Sequence, residues 1–205
     1  ALSLFNDGKY SAAQAIINSN NSSHISSAEL MYLNAKCSKE LFLSDAVFLY
    51  GMLNMHFPFH EYKEDVNIDL ALIYYREKKY AKSITHFLSL SELSNENLFK
   101  LAYANFCIDS LDIAQLYFSK LKSVESKFSS TAQYYYSYIA YKRVLYKSAL
   151  EGFKKLLDDE KFAAIVPYYI SQIYFHQKEY ANLISFAEPL LVNVIASRKS
   201  EINRL

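Results

Sequence analysis

The residues able to do chemistry in this chain are few and poorly placed for it. His56 and His60 stand four apart with Glu61 adjacent, a spacing that holds zinc when both imidazoles project from one helix. Pro58 lies between them and breaks such a helix, and no further ligand follows, so the pair reads as a loop between elements and no metal is expected. His24 and His86 are isolated and read as surface or loop residues. Cys37 and Cys107 each sit inside a helical pattern far from the other. They read as buried free thiols, with no disulfide and no activating partner for a nucleophile. No Ser/His/Asp arrangement can be drawn. Three glycines in 205 residues leave no room for a phosphate-cradling loop or a dinucleotide fingerprint. The chain is therefore expected to be no enzyme and to use no cofactor.

What must be positioned instead is a large set of apolar rings. The chain holds 19 Tyr and 14 Phe and no Trp. Only three Gly and three Pro, with 52% hydrophobic residues, suit helices joined by short turns. Charge is balanced at a formal +1, from 22 basic and 21 acidic side chains, which offers no basic field for nucleic acid. Lysine-rich spots such as Lys78-Lys79 and Lys154-Lys155 alternate with acids and read as solvated faces. No apolar run approaches the roughly 18 residues of a membrane span. Asn20 and Asn21 begin glycosylation-type triplets, for which a polar loop over 18–23 is sufficient explanation.

The apolar pattern is periodic. A small residue followed four places later by a bulky one recurs as Ala13/Ile17, Ala46/Tyr50, Ser83/Phe87, Ala114/Phe118, Ala149/Phe153 and, inverted, Leu183/Ala187. The steps are 33, 37, 31, 35 and 34 residues. Each pair falls in the second of two helices. The small residue lets backbones approach, and the bulky one fills the next groove. First helices are predicted over about 27–39 with Leu30, Leu33 and Cys37 on one face, over 64–78 with Leu70, Ala71 and Tyr74, and from 95 with Leu98, Leu101 and Ala102. Ser26, Ser27 and Ser94 offer caps. Pro167 suits a first turn, whereas Pro189 should kink or shorten the last helix.

These residues resemble the tetratricopeptide repeat family, above all Leu70-Ala71, Tyr74, Tyr80, Ser83 and Phe87, then Tyr141, Tyr146, Ala149 and Phe153, and Pro58 as a repeat-ending proline. Turn glycines are missing from most hairpins, with Glu77-Lys78, Ser110, Val144 and Lys178 in their place. The runs at 164–170 and 187–191 are similar to large repeat proteins of Bacteroidetes bacteria, which are often attached to the cell envelope. The resemblance implies an all-α, right-handed superhelical solenoid of antiparallel helix pairs. About five full hairpins are expected, over 27–61, 62–94, 95–128, 129–163 and 164–194, with partial units at 1–26 and 195–205. Both ends read as cut helices, so a longer protein is expected.

In that family the concave face is lined by first-helix residues beside the core stripe. Carried over, it comprises Asp65, Ile68, Leu72 and Tyr75, then Glu96, Phe99, Tyr103 and Phe106, then Thr131, Tyr134, Tyr138 and Tyr141, then Ile165, Tyr168, Gln172 and Phe175, with His176 at its border. One repeat earlier the set is Ala28, Met31, Ala35 and Ser38. No cation stands at these positions to clamp a terminal carboxylate. The expectation is a non-enzymatic protein–protein interaction scaffold that binds a protein or peptide segment through aromatic contacts. The alternative is the peptide-sensing module of a larger signalling or transcription protein. No direct nucleic-acid contact is expected, self-association through the groove is open, and either the bacterial envelope or periplasm or the cytoplasm would accommodate it.

Overall fold

The computed structural model describes residues 1–19 and 27–192. Expectations for His24, for the Asn20 and Asn21 triplets and for a unit at 195–205 lie outside the described residues. Among those described there are twelve α-helices and no strand. The chain divides after Leu93 into two compact units. The first holds α1 (Leu2–Asn6), α2 (Tyr10–Ser19), α3 (Ala28–Glu40), α4 (Ala46–His56), α5 (Lys63–Arg76) and α6 (Tyr80–Leu88). The second holds α7 (Asn95–Cys107), α8 (Leu111–Leu121), α9 (Ser129–Lys142), α10 (Tyr146–Lys154), α11 (Val166–His176) and α12 (Tyr180–Val192). Each unit is three helical hairpins in which consecutive helices pack together.

One turn is built six times. Gly8, Phe42, Lys78, Asp109, Val144 and Lys178 all have φ between 57° and 75°, the left-handed region. Their spacings are 34, 36, 31, 35 and 34 residues. At each, two backbone bonds close the first helix. The left-handed residue donates to the carbonyl three places back, and its successor donates to the carbonyl five places back. At the third hairpin these are Lys78 N to Tyr75 O at 3.0 Å and Lys79 N to Tyr74 O at 2.9 Å. This is the Schellman closure, which consumes the orphan carbonyls of the last turn. Only the first copy uses glycine. The turns expected at Lys78, Val144 and Lys178 are placed there, whereas Asp109 rather than Ser110 takes the strained conformation.

Every small–bulky pair is interior: Ala13, Ile17, Ala46, Tyr50, Ser83, Phe87, Ala114, Phe118, Ala149, Phe153, Leu183 and Ala187 are all buried. Ser83 keeps its hydroxyl satisfied inside the hairpin by donating to Ala71 O at 2.8 Å. The serine caps form as expected, with Ser27 Oγ accepting from Leu30 N and Ser94 Oγ from Asn97 N. Two burial expectations fail. Leu30 is 39% exposed, because it lies in the capped first turn beyond the reach of α4's core side. Cys107, the last residue of α7, is exposed, since the helix ends there and turns away from the core. The helix α12 runs through Pro189 to Val192, consistent with a ring whose fixed φ suits a helix and which forfeits one hydrogen bond.

Candidate functional site

The turn supplies a common ruler for the first helices. Counted back from the left-handed residue, the expected ligand-facing residues beyond the first of each set occupy positions ten, six and three before it in α5, α7, α9 and α11. In α3 those positions are Tyr32, Lys36 and Lys39, so the set Met31, Ala35 and Ser38 is one residue out of register. All three are buried, as a one-residue slip on a helix requires. The expectation that no cation stands at these positions is thereby overturned in the first unit.

Those cations are already engaged. Asp69 of α5 is 2% exposed and accepts from Tyr50 Oη at 2.6 Å and from Lys36 Nζ at 2.8 Å, while Lys39 Nζ lies 3.3 Å from its other oxygen. Tyr32 donates to Asp65 at 3.2 Å and stacks on Tyr62, with ring centres 4.2 Å apart. Burial, then the nearby carboxylates, push the Tyr50 and Tyr32 phenols well above their ordinary range. In the same unit Ile68 is half-buried on α5, and Tyr75 meets Tyr80 edge to face at 5.8 Å.

The second unit differs. Positions ten, six and three before its three turns carry eight aromatic rings and Gln172, with no charge. Phe106 meets Tyr138 at 5.9 Å, and Tyr134 lies over Tyr138 at 6.2 Å. Tyr134, Tyr138 and Tyr141 all pack edge-on to Tyr169, at 6.2, 5.5 and 5.5 Å, and Tyr168 meets the same ring at 5.4 Å. Phe99 and Tyr103 join through Tyr135, at 6.3 and 5.5 Å. Phe175 stands apart from this band. It is 37% exposed and pairs with Tyr180 and His176 instead. His176 itself stacks on Tyr146 at 5.8 Å.

Sequence reasoning passed over the residues that hold the band together. Tyr135 and Tyr169 stand nine places before their turns, the position Asp69 takes in α5. Tyr135 stacks on Phe118 and Tyr169 on Phe153, each at 5.1 Å and within 12° of parallel. They are thus the partners of the bulky residues of the preceding helix, a signal that the turn-based ruler would have exposed. Burial, then hydrogen bonding to Tyr169, raises the Tyr134 phenol, and burial raises Tyr141 likewise. Tyr135 is pushed up to about 12 by burial and by Tyr103 and Cys107 beside it.

Among the described residues the histidines gather into no metal-binding group. His56 and His60 do line one depression of about 350 Å³ with Phe57, Pro58 and Phe59. His60 is engaged with Asn54 Oδ1 at 2.8 Å, and no group of three or more potential ligands gathers among the described residues. His86 is neither loop nor surface. It lies on α6, half-buried against the Tyr74 ring at 5.6 Å, with Nδ1 at 3.0 Å from Asn67. Among the described residues no helix is long and apolar enough to cross a membrane. The chain matches no protein-family model and no curated protein.

Proposed function

We propose that this chain is a tetratricopeptide-type array, a right-handed superhelical solenoid, acting as a non-enzymatic scaffold that binds a segment of another protein. The observation that carries the reading is the charge-free aromatic band on α7, α9 and α11. Helical backbones there satisfy their own hydrogen bonds, so recognition falls to side chains. Half-buried Tyr and Phe rings suit that task, offering large contact area at low entropic cost, with hydroxyls to set register. The six Schellman turns, spaced as the repeat resemblance implies, support the architectural half of the proposal.

The test is affinity capture from the native cell with the wild-type chain and a Tyr134→Ala/Tyr138→Ala double variant. A partner recovered by the first and lost by the second, at comparable helical content by circular dichroism, is the expected result. Equal recovery by both, with a large fall in thermal stability of the double variant, would assign these rings to packing alone.

A further inference from the structure

One buried group of the first unit is left with nothing to bond. His60 stands in the connector 57–62 between α4 and α5, with 9% of its surface exposed. Asn54 Oδ1, 2.8 Å from Nε2, can only accept, which assigns the ring's proton to Nε2. Nδ1 then keeps a bare lone pair, sealed from solvent and without a hydrogen-bond partner among the described residues. The closed connector thus accommodates the neutral imidazole. The ring also helps hold the connector down. It packs on Tyr62 at 6.1 Å, and Tyr62 in turn stacks on Tyr32 of α3.

A second proton has to go onto Nδ1, where it makes a charged N–H donor with no acceptor in a sealed site. The groups facing the ring do not relieve it. From α4 come the neutral Asn54 and, in the same depression, His56. The connector itself supplies Tyr62, and α5 supplies Lys63, whose charge repels another. The carboxylates nearby, Glu29 of α3 and Glu61, act on Tyr62. Burial, then Lys63, accordingly holds the imidazole below its ordinary value. In an opened connector water solvates both N–H groups, so acid favours opening. We propose that the 57–62 connector is an acid-released latch: protonation of His60 at Nδ1 lifts it from α3 and α4 while the helices of the first unit stay folded. The latch is fully closed above about pH 6.5 and is released as pH falls below it. It is independent of what the chain binds.

The test follows amide exchange of the full chain by NMR from pH 7.5 to 5, corrected for the intrinsic exchange rate. The His60 N–H, which donates to Phe57 O at 3.1 Å, reports the latch, and amides in the middle of α4 and α5 report the helices. Protection of His60 should fall by up to about tenfold per pH unit below about pH 6.5, while the helical amides hold. His60→Gln removes the titrating group and should abolish the fall. Asn54→Asp sets a carboxylate of the same shape against Nε2, stabilises the imidazolium in place and should blunt it. Should His60→Gln open the connector at every pH, the Asn54→Asp variant decides alone: a blunted fall supports the latch and an unchanged one overturns it. Constant protection across the range, or a fall shared in step by the helical amides, also overturns it.

Discussion

Two helical glycines should respond to alanine in opposite directions. Both Gly51 in α4 and Gly152 in α10 sit in helix interiors, where alanine is favoured by about 0.5–1 kcal/mol. A Cβ on Gly51 would meet nothing within 4 Å, so Gly51→Ala should realise that gain. A Cβ on Gly152 would fall inside the contact radius of Ser137 Oγ, 2.7 Å from Gln133 Nε2 and 3.1 Å from Ser137 Cβ. Ser137 cannot simply rotate away. Its hydroxyl donates to Gln133 O at 2.8 Å and accepts from Gln133 Nε2 at 3.0 Å, and both residues are buried on α9. The helices must part or a buried hydroxyl must lose its partners. Overpacking of this kind costs about 1–3 kcal/mol, and an orphaned buried group adds about 1–3 more. After the helix-propensity gain, Gly152→Ala should destabilise by roughly 1–4 kcal/mol. Urea denaturation of the single variants, of Ser137→Gly and of the Gly152→Ala/Ser137→Gly pair measures it. The pair should recover at least about 1 kcal/mol relative to additivity. A Gly152→Ala variant as stable as wild type, or a cycle with no coupling, would refute the close approach of α9 and α10.

Val144 is a β-branched residue held at φ 61° with 64% of its surface exposed. The left-handed conformation costs about 1–2 kcal/mol, and glycine gives back about 0.5–1 through its freer unfolded chain, so Val144→Gly should stabilise by roughly 0.5–1 kcal/mol. A lowered thermal midpoint would count against the turn as described. Burial holds the imidazoles of His86 and His60 below their ordinary value near 6.5, so the unfolded chain binds more protons in mild acid. Their contribution to stability is complete above about pH 6.5 and is lost as pH falls below it. Denaturation midpoints measured from pH 7.5 to 5 should decline, and His86→Gln should flatten the decline. An unchanged slope would place His86 in solvent.

The repeat was legible because its two devices have strict sequence costs. A small residue where backbones approach and a bulky one a turn later leave a period that survives even the inverted Leu183/Ala187 pair, whose members are both buried. Ser27 and Ser94 were legible as caps for the same reason: few residue types do that work. The left-handed turns were half-legible, since only Gly8 carries the residue that announces one, and Phe42 gives no local sign of its φ of 57°. Asp69 escaped because a lone carboxylate amid Asn67, Ile68 and Leu70 reads as surface, and only its three partners from α3 and α4 make burial tolerable. The slip in α3 followed from having no anchor at Phe42. One residue of error turned Lys36 into Ala35 and hid the cations.

The position nine before the turn, in α5, α9 and α11, bears on why the two units carry different side chains; in α7 it is Lys100, paired with Glu96. In the other three it is where the bulky residue of one hairpin meets the first helix of the next, as Tyr50 meets Asp69, Phe118 meets Tyr135 and Phe153 meets Tyr169. A buried carboxylate there demands cations, and the nearest free positions are six and three before the preceding turn, where Lys36 and Lys39 stand. Those lysines are obliged by the interior rather than offered to a ligand. An aromatic ring at the same position stacks on Phe118 or Phe153 and demands no counter-charge. The neighbouring positions are then released from pairing, and in α7, α9 and α11 they carry rings. The residue that seals one hairpin onto the next thus also bears on which side chains the neighbouring face carries. Replacing Asp69 with tyrosine should therefore orphan Lys36 and Lys39, whereas Tyr169→Asp should bury an unpaired charge and collapse the band.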